Sequence, residues 1–487
     1  MRGITFTSAV LGIGLLTVAA CGSSSPSGFD PNATSSGGSS ASSGSTGSSG
    51  GFGASGGPGA DGGPAACVGL QCQQHACSGG GSTTVSGQVY DPAGKNPLYN
   101  VVVYVPNQTP DALPSGATCD KCDALYTGFP IASALTDAAG KFTLKNVPDG
   151  ANIPLVIQIG KWRKQITIPN VAQCADNPQA DKSLRLPKNH MEGDIPNIAI
   201  STGGSDSLEC LLRRVGLDAN EYGGGPSGAG RIHIFQGNPT GGVFGGLGGA
   251  PNTSPAAPKS NTGLWNSKTE LAKYDIVLLS CEGSETTSMN QQALVDYAAM
   301  GGRVFASHFH YSWFNSGPYA SANLATWTAG TNDLGDITTS IVTTLPGGGA
   351  FAKGQALQQW LTNVKALNGA GKLPITQAKH NADVTSAHVA SQAWIKADTG
   401  GSTEYFTFNT PVGAAAAAQC GRVVYSDLHV GAASGDYGSL SATVPSGCSN
   451  GDLSAQEKAL EFMLFDLSSC VTPDNQPPPP PPQTGVK

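Results

Sequence analysis

Charge is scarce in this chain: 12% of its 487 residues are Asp, Glu, Lys or Arg, and the formal net charge is −7. A net acidic chain with no basic stripe lacks the electrostatic footprint that nucleic acid requires, so no nucleic-acid partner is expected. Long apolar runs are missing too. The most apolar stretch, residues 4–20, is too short for a stable transmembrane span. Several familiar catalytic signatures are also absent. There is no His-Glu-x-x-His, no Gly-x-Ser-x-Gly and no Walker-type loop. The glycine-rich stretch 241–249 lacks the Lys-Ser/Thr ending that would cradle phosphate, and it reads as a loop.

What is present begins with an address. Arg2 precedes the apolar stretch, and Val18, Ala19 and Ala20 precede Cys21, so residues 1–20 read as a signal peptide. The small residues before the cysteine resemble the lipobox of bacterial lipoproteins. That resemblance implies that Cys21 is the first mature residue and is acylated, with the membrane as partner through a lipid anchor. Several acyl chains bury many methylenes at roughly 0.8 kcal/mol each, which makes such an anchor stable where one myristoyl chain is marginal. Gly22 and Ser23 place no acidic residue after the cysteine, a pattern resembling outer-membrane sorting, with the folded part periplasmic or at the cell surface. Residues 21–66 are mostly Ser, Gly, Ala and Pro and read as a flexible tether, with a mean reach of about 35–40 Å. Residues 472–487 form a proline-rich tail whose run 477–482 suits polyproline II.

The chain has 12 cysteines. In an oxidising compartment most should pair, and an acylated Cys21 leaves an odd number, so parity predicts one free thiol. Cys67, Cys72 and Cys77 make a compact cysteine-rich segment over residues 67–82, expected to be cross-linked. A metal site there would recruit Cys119, Cys122 and His75, but the spacing fits no zinc pattern. Cys420, Cys448 and Cys470 cluster near the end, which points to Cys281 as the unpaired one. Two disulfides within this half would instead leave the odd thiol in the front half.

Residues 83–203 alternate short β-branched runs with Gly, Pro, Asn and Asp, predicting strands at 84–90, 100–105, 131–136, 141–144, 153–159, 164–168 and near 195–200. Six or seven such strands without helices imply an all-β sandwich. The runs at 85–105 (VSGQVYDPAGKNPLYNVVVYV) and 135–160 (LTDAAGKFTLKNVPDGANIPLVIQIG) resemble the carboxypeptidase-regulatory-like domain, related to transthyretin-like modules. Asp91 to Gly94 and Asp137 to Gly140 supply its hairpin turns. The chain departs from that pattern by an insertion at 106–130 carrying Cys119 and Cys122. The resemblance implies a spacer or recognition module with a carbohydrate-binding-like fold.

Residues 204–471 change character, with helices predicted at 207–216, 289–300, 354–364 and 454–467 and strands at 231–235, 274–280, 303–307, 405–409 and 422–426. Ser454 and Glu457 form a capping-box pattern that fixes the start of the last helix. Strand–helix alternation implies a three-layer α/β domain, so the chain is multidomain. YDIVLLSCEG (274–283), YAAMGGRVFASHFH (297–310) and CGRVVYSDLHV (420–430) resemble the class I glutamine-amidotransferase-like, flavodoxin-like fold, and within it the trehalose-utilisation-type (ThuA-like) proteins. Where an amidotransferase carries a Gly-x-Cys-x-Gly elbow, this chain reads Ser307-His308-Phe309-His310, so that reaction is not implied.

Open α/β sheets bind ligands at the carboxyl ends of their strands. Three predicted strand ends carry reactive side chains: Cys281 and Glu282; Ser307, His308 and His310; and Asp427 and His429. Cys281, Glu282 and His308 are candidate catalytic residues, and Ser307, His310, Asp427 and His429 are candidate ligand-binding residues. A strand continuing through residue 310 would put His308 and His310 on one face, where with His429 they could hold a divalent metal and activate water. The same histidines, beside Phe309, Tyr311 and Trp313, would equally serve as packing residues. Three functions remain open: a surface lipoprotein that binds a ligand such as a glycan or envelope component, a metal- or thiol-dependent envelope hydrolase, and a purely structural envelope protein.

Overall fold

The computed structural model describes residues 67–237, 253–286, 289–430, 444–449 and 451–479. The signal peptide, Cys21, the tether, the glycine-rich stretch 241–249 and the end of the proline tail lie outside the described residues. The described part is rich in β-structure, arranged in several sheets. No helix in it is long and apolar enough to cross a membrane.

The front of the chain folds into two four-stranded sheets. In one, Lys141–Lys145, Thr84–Tyr90 and Asp176–Pro178 lie side by side, with Leu184–Arg185 also pairing to Thr84–Tyr90. In the other the order is Pro130–Leu135, Val102–Pro106, Gly150–Ile159 and Trp162–Val171. Val85, Val89, Phe142 and Leu144 of the first sheet share a core with Val103, Val105, Leu155 and Ile157 of the second. Alternate residues Val102, Tyr104 and Val156 point the other way, against Tyr126 of the 106–130 insertion. That insertion holds the short helix Cys122–Leu125, a helix the β-sandwich reading did not include. The expected strand near 195–200 forms at Ile198–Ser201 but pairs elsewhere. Its four residues are all buried, as suits the interior of a parallel sheet rather than a sandwich edge.

That larger sheet has ten strands. Six are parallel, in the order Tyr222–Gly224, Ile232–Phe235, Ile198–Ser201, Ile276–Leu279, Arg303–Ser307 and Gly421–Ser426. Four antiparallel strands extend it: Thr403–Thr410, Ser391–Ala397, Asp333–Ile341 and Leu373–Lys379. Ile276 and Leu278 pack on the side of the closing helix Ala455–Ser468, whereas Val277 and Leu279 pack on the side of the helix Gln291–Ala299. The period of two along a strand therefore covers both faces of the sheet with helices.

The closing helix is buried nearly all round, which explains why its apolar residues do not fall on one stripe. One side meets the large sheet and the other meets the front sandwich, through Trp162 against Phe465 (ring centroids 5.7 Å apart) and Tyr99 against Phe462 (5.6 Å). Gly160 closes this contact. Its φ is +54°, and a Cβ there would lie 1.8 Å from the Ser468 carbonyl oxygen. Gly160→Ala should cost about 2–4 kcal/mol in chemical unfolding, because backbone stands in the way and φ is unfavourable for a side chain. A loss below about 0.5 kcal/mol would mean that the two halves slide freely there.

Disulfides fasten the same interface. Five form among the described residues: Cys67–Cys72, Cys77–Cys174, Cys119–Cys420, Cys122–Cys470 and Cys210–Cys448. The front cysteines are not a self-contained knot, since Cys77 reaches Cys174. Nor do the last three pair among themselves. Each goes to a distant partner, because sheet pairing brings remote segments together while sequence proximity does not. Cys281 is the free cysteine among the described residues.

Candidate functional site

Strand Ile276–Leu279 ends just before Cys281, Arg303–Ser307 just before His308, and Gly421–Ser426 just before Asp427 and His429. These three strands are consecutive and parallel in the sheet, so their carboxyl ends lie together. The Sγ of Cys281 and one ring nitrogen each of His308 and His429 all fall within 4.8 Å of one another. Sγ is 3.4 Å from His308 Nδ1, and His429 Nε2 is 3.1 Å from that same nitrogen. The three residues are at most 3% exposed. His308 and His429 nevertheless line a cleft of about 540 Å³ with Ser205, Thr331, Asp333 and Lys379.

His308 is held from both ends. Its Nε2 lies 3.3 Å from the Thr331 carbonyl, and its own carbonyl accepts from the Tyr425 hydroxyl at 2.9 Å. A carbonyl only accepts, so Nε2 carries the ring proton and Nδ1 presents a lone pair. The Cys281 thiol and the His429 ring both face that one lone pair. Burial pushes the Cys281 thiol up to about 12 and the His429 imidazole down to about 3. It also lowers His308 well below the usual histidine value, with His429 and Lys379 adding to the effect.

His310 does not join this group. The strand ends at Ser307, His308 turns to φ +40°, and a 3₁₀ helix runs over His308–Trp313. The period of two that would have aligned His308 with His310 is broken there. His310 packs beside Trp313, with Nδ1 3.1 Å from the Ser307 carbonyl. Cys281 takes the place expected of it.

Glu282, Ser307 and Asp427 are buried but do not line the cleft. Glu282 accepts from the Thr286 hydroxyl. Ser307 donates its hydroxyl to Asp206, whose other oxygen accepts from Val430 N at 2.6 Å. Asp427 accepts from Asn381 N at 2.9 Å and lies 2.7 Å from the Tyr425 hydroxyl. Burial raises Asp206 and Asp427 each to about 7. Asp206 thus straps the His429 segment to the end of Arg303–Ser307, and Asp427 orders Tyr425 beneath His308. Ser307 and Asp427 shape the site from behind. Asp206, Tyr425, Asp333 and Lys379 were not foreseen. The first two sit beside expected residues, so the neighbourhood was visible though the contacts were not.

No family model matches the chain, and no curated protein does. Among solved structures it is similar to a chain of a type II cohesin–X-dockerin complex from Acetivibrio cellulolyticus, at 17% identity, covering 30% of this chain and 78% of that one, with a TM-score of 0.15. It is also similar to a cytoplasmic protein from Salmonella typhimurium, at 10% identity over 48% of this chain and 88% of that one, with a TM-score of 0.27. Scores this low carry no argument about fold or function.

Proposed function

We propose that this chain is an exported, membrane-tethered lipoprotein whose second half binds a divalent transition metal through Cys281, His308 and His429 and acts as a metal-dependent hydrolase on envelope or extracellular ligands. The observation that carries this reading is the convergence of one sulfur and two nitrogen donors within 4.8 Å, with His308 and His429 lining the cleft and Cys281 buried beside them. Tetrahedral zinc, with bonds of about 2.0–2.1 Å to nitrogen and 2.3 Å to sulfur, sets its ligands about 3.3–3.6 Å apart. Two of the three separations, 3.1 and 3.4 Å, come within a few tenths of an ångström of that, and the third is within 4.8 Å. The Thr331 carbonyl on the far side of His308 is the outer-shell partner that metal-binding histidines usually have. The Cys281 thiol and the His429 ring also both face the one lone pair of His308 Nδ1, and a cation would bind all three groups. A zinc held by these three residues would leave a position for water and would lower its pKa toward neutrality.

A thiol-dependent hydrolase is the weaker reading. With the thiol pushed up to about 12 and His308 depressed, the pair stays neutral and the sulfur is a poor nucleophile. The finer fold assignments belong to the same proposal. Two facing four-stranded sheets support the carboxypeptidase-regulatory-like sandwich as a recognition module for a glycan or envelope component. Six parallel strands with helices on both faces support the flavodoxin-like, ThuA-like second half. The five disulfides agree with a location outside the reducing cytosol.

The test is elemental analysis of the purified full chain after zinc loading and dialysis. One zinc per chain is expected, with affinity falling by more than about 100-fold in Cys281→Ala and in His429→Ala, and unchanged in His310→Ala. A wild-type protein without stoichiometric zinc, or a Cys281→Ala protein that keeps it, defeats the reading.

A further inference from the structure

The cleft is asymmetric in charge. Of the described residues that line it, Lys379 is the one Lys or Arg and Asp333 the one carboxylate, and they form an ion pair. The two partners sit in different surroundings: the Lys379 side chain is 9% exposed and that of Asp333 is 62% exposed. An ammonium so buried cannot be left without a counter-charge, whereas an exposed carboxylate loses little on returning to water. The pair is therefore built for exchange, with a fixed buried cation and a replaceable anion.

The wall that carries the pair is shaped for this. Asp333 and Lys379 face each other across the strands Asp333–Ile341 and Leu373–Lys379, whose register shifts on both sides of Gly335. Bulges of this kind re-aim side chains and are common beside active sites. Asn332 (φ +44°) and Gln377 (φ +59°) flank the pair in the left-handed region, as does His308 across the cleft (φ +40°). Asn visits that region readily, but Gln377 and His308 hold it only where the surrounding structure fixes them, as at ligand clamps. The remaining polar lining, including Ser205, Thr331 and Gln377, is uncharged.

We infer that the cleft takes a substrate bearing a carboxylate group, which replaces Asp333 on Lys379 and so positions the rest of the molecule at Cys281, His308 and His429. This rests on the metal centre proposed above. Lys379 is matched one-for-one by the Asp333 carboxylate, so the group that replaces Asp333 there is most simply another carboxylate. A volume of about 540 Å³ suits a small molecule or the end of a short chain rather than a folded partner.

The probe is acetate added to the full chain loaded with Co²⁺, whose visible bands report the metal's surroundings. Acetate should shift those bands saturably. Lys379→Met should weaken acetate by at least about tenfold at unchanged Co²⁺ stoichiometry, and Asp333→Asn, which removes the internal competitor, should tighten it by about threefold or more. Should Lys379→Met fail to fold, Asp333→Asn alone decides. Bands that acetate does not move, equal acetate affinity in Asp333→Asn and wild type, or phosphate binding more tightly than acetate would each overturn the carboxylate assignment while leaving the metal centre standing. A chain that takes up no Co²⁺ overturns the metal reading, and this inference falls with it.

Discussion

Replacing Cys119, Cys122, Cys420 and Cys470 together by serine should lower the melting temperature by roughly 6–10 °C, the largest shift expected from removing any cross-links in this chain. The two bonds join residues 301 and 348 positions apart, and both tie the 106–130 insertion to the second half. By loop-closure entropy the first to form constrains the unfolded chain by about 6 kcal/mol, and the second, closing a shorter remaining loop, by about 4. Measured disulfides usually contribute less, so about 5–8 kcal/mol for the pair is the expected sum, comparable with the whole stability of an ordinary domain. The non-covalent contacts of the insertion remain in the variant: Lys161 Nζ still reaches Asp275 at 2.6 Å and the Gly116 carbonyl at 2.7 Å. The variant should therefore fold at low temperature and melt early. A shift of under about 2 °C would show that packing alone holds the insertion and that these bonds are incidental.

This arrangement also changes what the front half can be. A spacer module would move independently of the second half, but here sandwich and sheet share the closing helix and two covalent ties. The sandwich and the cleft therefore belong to one compact unit.

Much of this fold is legible in the sequence. Strands Thr84–Tyr90 and Arg303–Ser307 form at their expected bounds, because period-two alternation in one and an apolar run in the other are strong local signals. The capping box at Ser454 and Glu457 is present as expected. Four strands of the large sheet were not legible. Tyr222–Gly224 is two-thirds glycine, and Leu373–Lys379 carries Pro374, which its place at the sheet edge tolerates. Asp333–Ile341 is mostly exposed along its first half, and Ser391–Ala397 opens on the buried polar residues Ser391 and Gln392. Losing those strands hid Lys379 and Asp333.

The site was legible for the same reason and to the same extent. Cys281, His308 and His429 each come just after a well-marked parallel strand, so the rule that ligands gather at carboxyl ends pointed to all three. His310 was misplaced because its alignment with His308 needed the strand to continue, and one residue at φ +40° ended it. Disulfide partners could not be deduced at all, since sequence spacing says nothing about which sheet neighbours meet.

Glu457→Gln is expected to be the most damaging single substitution away from the cleft. Arg214, on the helix Leu208–Val215, grips the Glu457 carboxylate with both terminal guanidinium nitrogens, one of them at 2.8 Å. The same carboxylate accepts from Ser454 N at 2.8 Å, closing the capping box. Burial alone would raise its pKa, but the Arg214 hydrogen bonds and charge outweigh that and hold it below the usual 4.5. A carboxylate held low in the folded state contributes stability that is complete above the unfolded value and is lost as pH falls through the folded one. Wild type should thus lose stability below about pH 5, and Glu457→Gln, with nothing left to protonate, should show a flatter acid limb. Near neutral pH the substitution strands a buried guanidinium and should cost about 3–5 kcal/mol, read as a lowered denaturant midpoint. Should Glu457→Gln and wild type run parallel from pH 7 to pH 3, the carboxylate would not be ionised against Arg214, and the link between the two helices would have to rest on packing alone.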